Sequence, residues 1–402
     1  MRSGIDFSVD AKFLLDLLPD YHNFVFPVCP IIEDGIIRES ISRATTEADH
    51  GAFCFAYAAM TLALAPDNHP RKTQGIISDL ISRALQLRPA IGHTSQIDLK
   101  RVALSVFLRI SFGVLQDREM DFFYLREAIT MVQILQLDKP QPHIPKSSDP
   151  TAWHHLHWVV FIHDRLSAIA DERDGVFSDA PAELPSVDST NLSHQKIQLG
   201  FRHICQLYEL VDAEFLSNWR DRNKATDSVR TLEWIETKQK ALASQHGQIQ
   251  EVLSQISDTH QADLMLTSQW LRTLVWQMAG CKYLLHSDAI QDYMLLLFPV
   301  QGCIYLKQLL DKICRDSLER QGVGIRQKLF DITDTATDVV AVSTHLHDRE
   351  VVVHWAENCQ HLIQYLLQFK SLHGAQRSLL EQKLGSLSEF LVEGGQDHTC
   401  HI

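Results

Sequence analysis

Apolar residues recur along this chain with the period of a helix. From Phe122 they run Phe122, Leu125, Ala128, Ile129, Val132 and Leu135, the i, i+3, i+4, i+7 spacing of one helix face. A second such face holds Leu156, Val159, Val160, Leu166 and Ile169. The same period predicts helices over 198–219, 262–285, 305–318, 323–342, 351–373 and 379–391. From Ala52 to Ala65 every residue but Thr61 is apolar. That run falls short of the roughly 20 residues that cross a bilayer, so it predicts a helix buried in a protein core. Strand-like alternation bounded by turns is rare. The pattern predicts an all-α fold, a large multi-helix domain.

The breaks are equally legible. Residues 138–150 carry Pro140, Pro142, Pro145 and Pro150, which a helix interior does not tolerate. Residues 172–191 mix Gly175, Pro181 and Pro185 with acidic side chains and predict a long ordered loop. Residues 1–402 are therefore expected to form a single large helical domain. Its lobes would be 1–138 and 151–391, joined by the Pro-rich connection 139–150.

Composition narrows the function classes. The 402 residues are 45% hydrophobic and 22% charged, an ordinary globular balance. The formal net charge is −13. Such a chain is a poor independent nucleic-acid binder, because that binding draws on counterion release by a basic surface. It is equally unsuited to an anionic membrane. The eight cysteines include no C-x-x-C pair and sit mostly among apolar neighbours, so reduced, buried thiols are expected and not a disulfide framework. The first residues show no signal-peptide core, and the expected location is the nucleus or the cytoplasm.

Few side chains form a pattern that dictates chemistry. His154 and His157 are i, i+3 neighbours near Trp153 and Trp158, yet zinc would need further ligands, and a polar helix start over a Trp-lined core is the reading taken. His345 and His347 would diverge on a helix. Asp397, His398, Cys400 and His401 fall in a terminus of the kind that frays. Asp331, Asp334 and Asp338 make an i, i+3, i+7 carboxylate stripe that reads as a solvated helix face, and 214–220 and 238–240 read as surface charge. Phosphate-cradling glycine motifs and the nucleophile elbow are missing. No catalytic, metal or cofactor residue is assigned, and no cofactor is expected.

Three segments together resemble the fungal-specific transcription factor domain, the middle homology region of binuclear zinc cluster regulators. Residues 14–28, aromatic-rich and leading to Pro27 and Val28, look like that family's opening helix. Residues 125–137, then 153–165 ending in Asp164-Arg165, then 175–185 look like its central signature, a helix closing on Asp-Arg before an acidic, Pro-containing loop. Residues 270–277 and 324–334 are similar to a subgroup among fungal regulators of sugar use and secondary metabolism. The resemblance implies a helical regulatory domain that responds to a small-molecule metabolite or a partner regulator. The family's zinc cluster needs six closely spaced cysteines, and here the first is Cys29, with Cys54 next. This chain is therefore expected to lack its own DNA-binding cluster. Asp164 is expected to accept bonds from the following loop and Arg165 to clamp a carboxylate, with a structural latch as the simpler role. The alternative to a regulator is a cofactor-free cyclase or isomerase on the same scaffold, moving protons in an aromatic-lined pocket. A homodimer paired through the last helices is a further expectation.

Overall fold

The computed structural model describes residues 10–66, 68–88, 97–139, 142–144, 149–189, 191–224, 228–282, 284–285, 291–313, 318, 322–369 and 372–396. Among them the architecture is all-α, with no strand. No described helix is long and apolar enough to cross a membrane. The chain divides into two compact units. One comprises Met1–Leu216 with Ser254–His260 and Glu319–Gly322, the other Ser217–Leu253 with Gln261–Leu318 and Val323–Ile402.

The first unit opens with α1 (Ala11–Asp16), α2 (Leu18–Asp20) and a π-helical turn, Tyr21–Val25. Then come α3 (Asp34–Arg43), α4 (Ala48–Leu64), α5 (Gln74–Leu87), α6 (Leu99–Val114) and α7 (Arg118–Ile134), followed by α8 (Pro150–Ala170), α9 (Leu192–Glu209) and α10 (Ala213–Arg220), whose residues from Ser217 on belong to the second unit. The apolar run is the centre of this unit: every residue from His50 to Leu64 of α4 is buried, and α5 and α6 pack against it. Phe53 and Phe107 meet across the α4–α6 contact with ring centroids 5.8 Å apart. The helix starts follow their side chains: Thr73, Asp98, Asp117, Asp149 and Asn191 each accept a first-turn backbone N–H. The proline-rich 139–150 joins α7 to α8, and these two helices pack on each other within the first unit.

The predicted 198–219 helix is two helices. It breaks at Leu210–Asp212, where Asp212 turns its carboxylate to the Phe215 N–H (2.8 Å) and starts α10.

The second unit holds α11 (Ser228–Val252), α12 (Asp258–Cys281, which begins in the first unit), α13 (Phe298–Leu310), α14 (Gly322–Ser343), α15 (Arg349–Leu367) and α16 (Gly374–Gln396). α15 packs on α13 and on α16. Cys303 of α13 and Cys359 of α15 bring their sulfurs to 3.7 Å in that core. Cys29, Cys54, Cys205, Cys303 and Cys359 are buried free thiols and Cys281 is exposed, while Cys314 and Cys400 lie outside the described residues.

Candidate functional site

In the first unit the end of α8 and the loop after it close into a latch. Asp164 and Arg165 sit near the C-terminal end of α8, 4% and 0% exposed. The Asp164 carboxylate accepts the backbone N–H of Val176 (2.9 Å) and of Phe177 (3.3 Å). Arg165 donates to Asp164 (3.1 Å) and to the Phe177 carbonyl (2.8 Å), and its guanidinium lies 4.3 Å from the Phe161 ring centroid. Burial pushes the Asp164 carboxyl up, and the two loop N–H groups and Arg165 pull against that rise. Gly175 is required here, since a Cβ would stand 2.1 Å from Arg165 Nη1 and 3.0 Å from Asp164 Oδ2. Asp164 thus takes loop bonds as expected, and the carboxylate beside Arg165 is its own neighbour's.

The rest of the loop is held the same way. The Glu183 carbonyl takes His154 Nε2 (2.6 Å) and Trp158 Nε1 (2.8 Å), and Arg202 of α9 donates to the Pro185 carbonyl (2.8 Å). An acidic, proline-bearing loop stays ordered because buried backbone groups find partners one by one. His154 and His157 do not converge on a metal. His154 is engaged at Glu183, while His157 is buried against the Phe177 ring and pushed down to about 4 by that burial. Among the described residues no group of three or more His, Cys, Asp or Glu could hold a metal ion. His345 and His347 lie in the turn after α14, with His347 edge-on to Trp355. The tail ligands 397–401 lie outside the described residues.

In the second unit α12 and α14 face each other. Trp270 Nε1 of α12 donates to Asp331 Oδ2 of α14 (2.8 Å), and Gln277 donates to Thr335 (2.7 Å). Gln327 holds the other Asp331 oxygen (2.7 Å) and accepts from Gln376 of α16 (2.7 Å). The expected solvated stripe is therefore corrected. Asp331 is bound by an indole and an amide, while Asp334 and Asp338 share Lys383 (2.5 and 2.6 Å). Only Asp338 is exposed. The cause is tertiary: α12 and α16 cover a face that the helical period alone leaves open. Burial pushes the Asp331 carboxyl up to about 6, the Asp334 charge adds to that rise, and the Trp270 and Gln327 bonds oppose it. One helical turn away, buried Lys328 pairs with Asp263 (2.9 Å) and donates to Thr267 (2.6 Å).

This arrangement gives a carboxyl group able to hold or release a proton near neutral pH beside a buried indole. The apolar period does not predict α11 as a helix. Its 238–240 stretch is not simple surface charge, because Lys238 is 8% exposed and Gln239 fully buried. The missed signal was the inner face Ile235, Gln239, Leu242 and Ile249, all buried, with half-buried His246 among them.

No family model matches the chain, and no solved structure matches it. The chain is similar to the probable sucrose utilization protein SUC1 of Candida albicans, with 21% identity over 281 residues, 68% of this chain and 53% of that protein. It spans about half the length of that relative.

Proposed function

We propose that this helical body is the regulatory part of a fungal transcription-factor-like protein, of sugar use or secondary metabolism, working through a small-molecule metabolite or a partner regulator. The observation that carries the reading is the pairing of the two segments similar to fungal regulators through Trp270 and Asp331. The Asp164–Arg165 latch on the loop after the central signature supports it, as does the likeness to a protein named for sucrose utilization. The net charge of −13 fits a body that acts through ligands and partners and not by gripping nucleic acid itself. The test is a reporter gene driven by a foreign DNA-binding module fused to this chain, with gel shifts on the unfused chain alongside. The reading expects reporter output that changes with carbon source or pathway intermediates, and no sequence-specific shift by the chain alone. Constant output under every condition, or tight specific DNA binding, contradicts it.

A second reading, proton-transfer catalysis on the same scaffold, is favoured by Asp331 alone, whose carboxyl titrates near the range useful to a general acid or base. Incubation with pathway intermediates followed by mass spectrometry separates the two readings. Turnover that Asp331→Asn abolishes supports the enzyme, and unaltered intermediates exclude it.

A further inference from the structure

In the core of the second unit α13 and α15 pack on each other, and each places one thiol in the seam. Cys303 and Cys359 are fully buried free thiols, and their sulfurs lie 3.7 Å apart across 56 positions of sequence. Sulfurs at that distance touch, and neither has to pass another group to reach its neighbour. A disulfide holds its sulfurs roughly 2 Å apart, so a shared movement of about 1.7 Å turns this contact into a bond.

The two thiols are not equivalent. The Cys303 contact pushes Cys359 down against its burial, and the Thr337 hydroxyl of α14 and the Lys383 charge of α16 act the same way. Lys383 is itself held by Asp334 and Asp338. Cys303 is pushed up, by the Cys359 contact and by burial. The thiolate is the form that attacks an oxidant, so Cys359 is the nucleophile of the pair and Cys303 the partner waiting beside it. Other buried thiols are held in the unreactive form. Burial pushes Cys29 and Cys54 up to about 12, and pushes Cys205 well up.

We infer that Cys303 and Cys359 are a redox-modification site, a dithiol that hydrogen peroxide closes into a disulfide joining α13 to α15. The Cys359 sulfur attacks one peroxide oxygen and the O–O bond breaks. Cys359 becomes a sulfenic acid, and the departing hydroxide takes the thiol proton as water. The Cys303 sulfur then attacks the Cys359 sulfur, the S–O bond breaks, and the hydroxyl leaves with the Cys303 proton as a second water. Two electrons pass from the thiol pair to the peroxide. Peroxide is small and uncharged, and it enters during the brief openings that packed helices undergo. A second thiol already in contact captures the sulfenic acid before more peroxide carries it to sulfinic acid. The chain between the two sulfurs includes all of α14, so the bond closes the helix that bears Asp331 into a covalent loop. The inference does not rest on the regulatory reading.

The test exposes the full folded chain to hydrogen peroxide, blocks the remaining thiols with N-ethylmaleimide in urea, and maps unreduced peptides by mass spectrometry. The expected product is a linked Cys303–Cys359 peptide, lighter than its two parts by two hydrogens and split by dithiothreitol. In Cys303→Ala the same exposure carries Cys359 on to sulfinic acid, whereas in Cys359→Ala most of Cys303 stays a thiol. No linked peptide at an exposure that oxidises exposed Cys281 overturns the site. So does a link that forms only when urea is present during oxidation, a link from Cys359 to a different cysteine, or an unoxidised Cys359 in folded Cys303→Ala. If a variant fails to fold, the mapping of wild type decides by itself.

Discussion

Asp164, buried, and Asp331, half-buried, both stand on long helices, and they are stabilised by opposite means. Asp164 has a cation beside it and two loop N–H groups on its oxygens. Asp331 has two neutral donors, an indole and an amide, with the Asp334 charge disfavouring ionisation. The first arrangement sets a cation and two loop N–H groups against the rise that burial causes, and fixes a loop. The second leaves the carboxyl free to exchange a proton near pH 6. The lesson is that burial alone does not give a side chain its role, because the charge state of its partners decides between a latch and a titratable group.

The hardest test of the contrast is removal of each carboxylate. Asp164→Ala leaves Arg165 charged, buried and unpaired, and should cost about 3–5 kcal/mol in urea unfolding. Asp331→Ala strands only neutral donors and should cost about 1–3 kcal/mol. Equal losses would dissolve the comparison. Next, Gly175→Ala should cost about 2–3 kcal/mol, because its Cβ enters the space of Arg165 and Asp164. The same change at Gly324, where a Cβ meets nothing within 4 Å, should cost little.

The pH dependence sharpens the contrast further. The folded-state value of Asp331 is raised above its unfolded value, so its contribution to stability is greatest below the ordinary carboxylate range and is lost as pH rises through about 6. The difference between wild type and Asp331→Asn should therefore change by about 2–3 kcal/mol across that window. Asn keeps the Trp270 bond once the Gln327 and Gln376 amides turn over. The smallest effect expected is at Glu172, held at φ 53 two residues beyond the end of α8 and ahead of the latch loop. Glu172→Gly should raise stability by about 0.5–1 kcal/mol in the same unfolding assay.

Much of the fold was legible because its helices are amphipathic. The α4 run and the Phe122 face of α7 were read residue by residue, and the latch was visible as Asp-Arg followed by a glycine and proline loop. The Asp331 site was visible only as residues. Trp270 lies 61 positions away from Asp331, and nothing in the helical period tells which neighbour will cover a carboxylate stripe. α11 was hidden for a related reason. Its inner face carries buried Gln239 and half-buried His246 among Ile235, Leu242 and Ile249, and these polar side chains blur the pattern. The same local chemistry split 198–219 in two, because Asp212 caps a new helix where the apolar spacing continues.

The most direct test of the central claim, that the second unit keeps an adjustable carboxyl while the first keeps a locked one, is a carbon-13 NMR titration of the Asp331 carboxyl, assigned by its loss in Asp331→Asn. The midpoint should lie near pH 6 and rise further in Trp270→Phe, where the indole N–H no longer steadies the anion. A midpoint at or below the ordinary aspartate value, unmoved by loss of the indole, would contradict it.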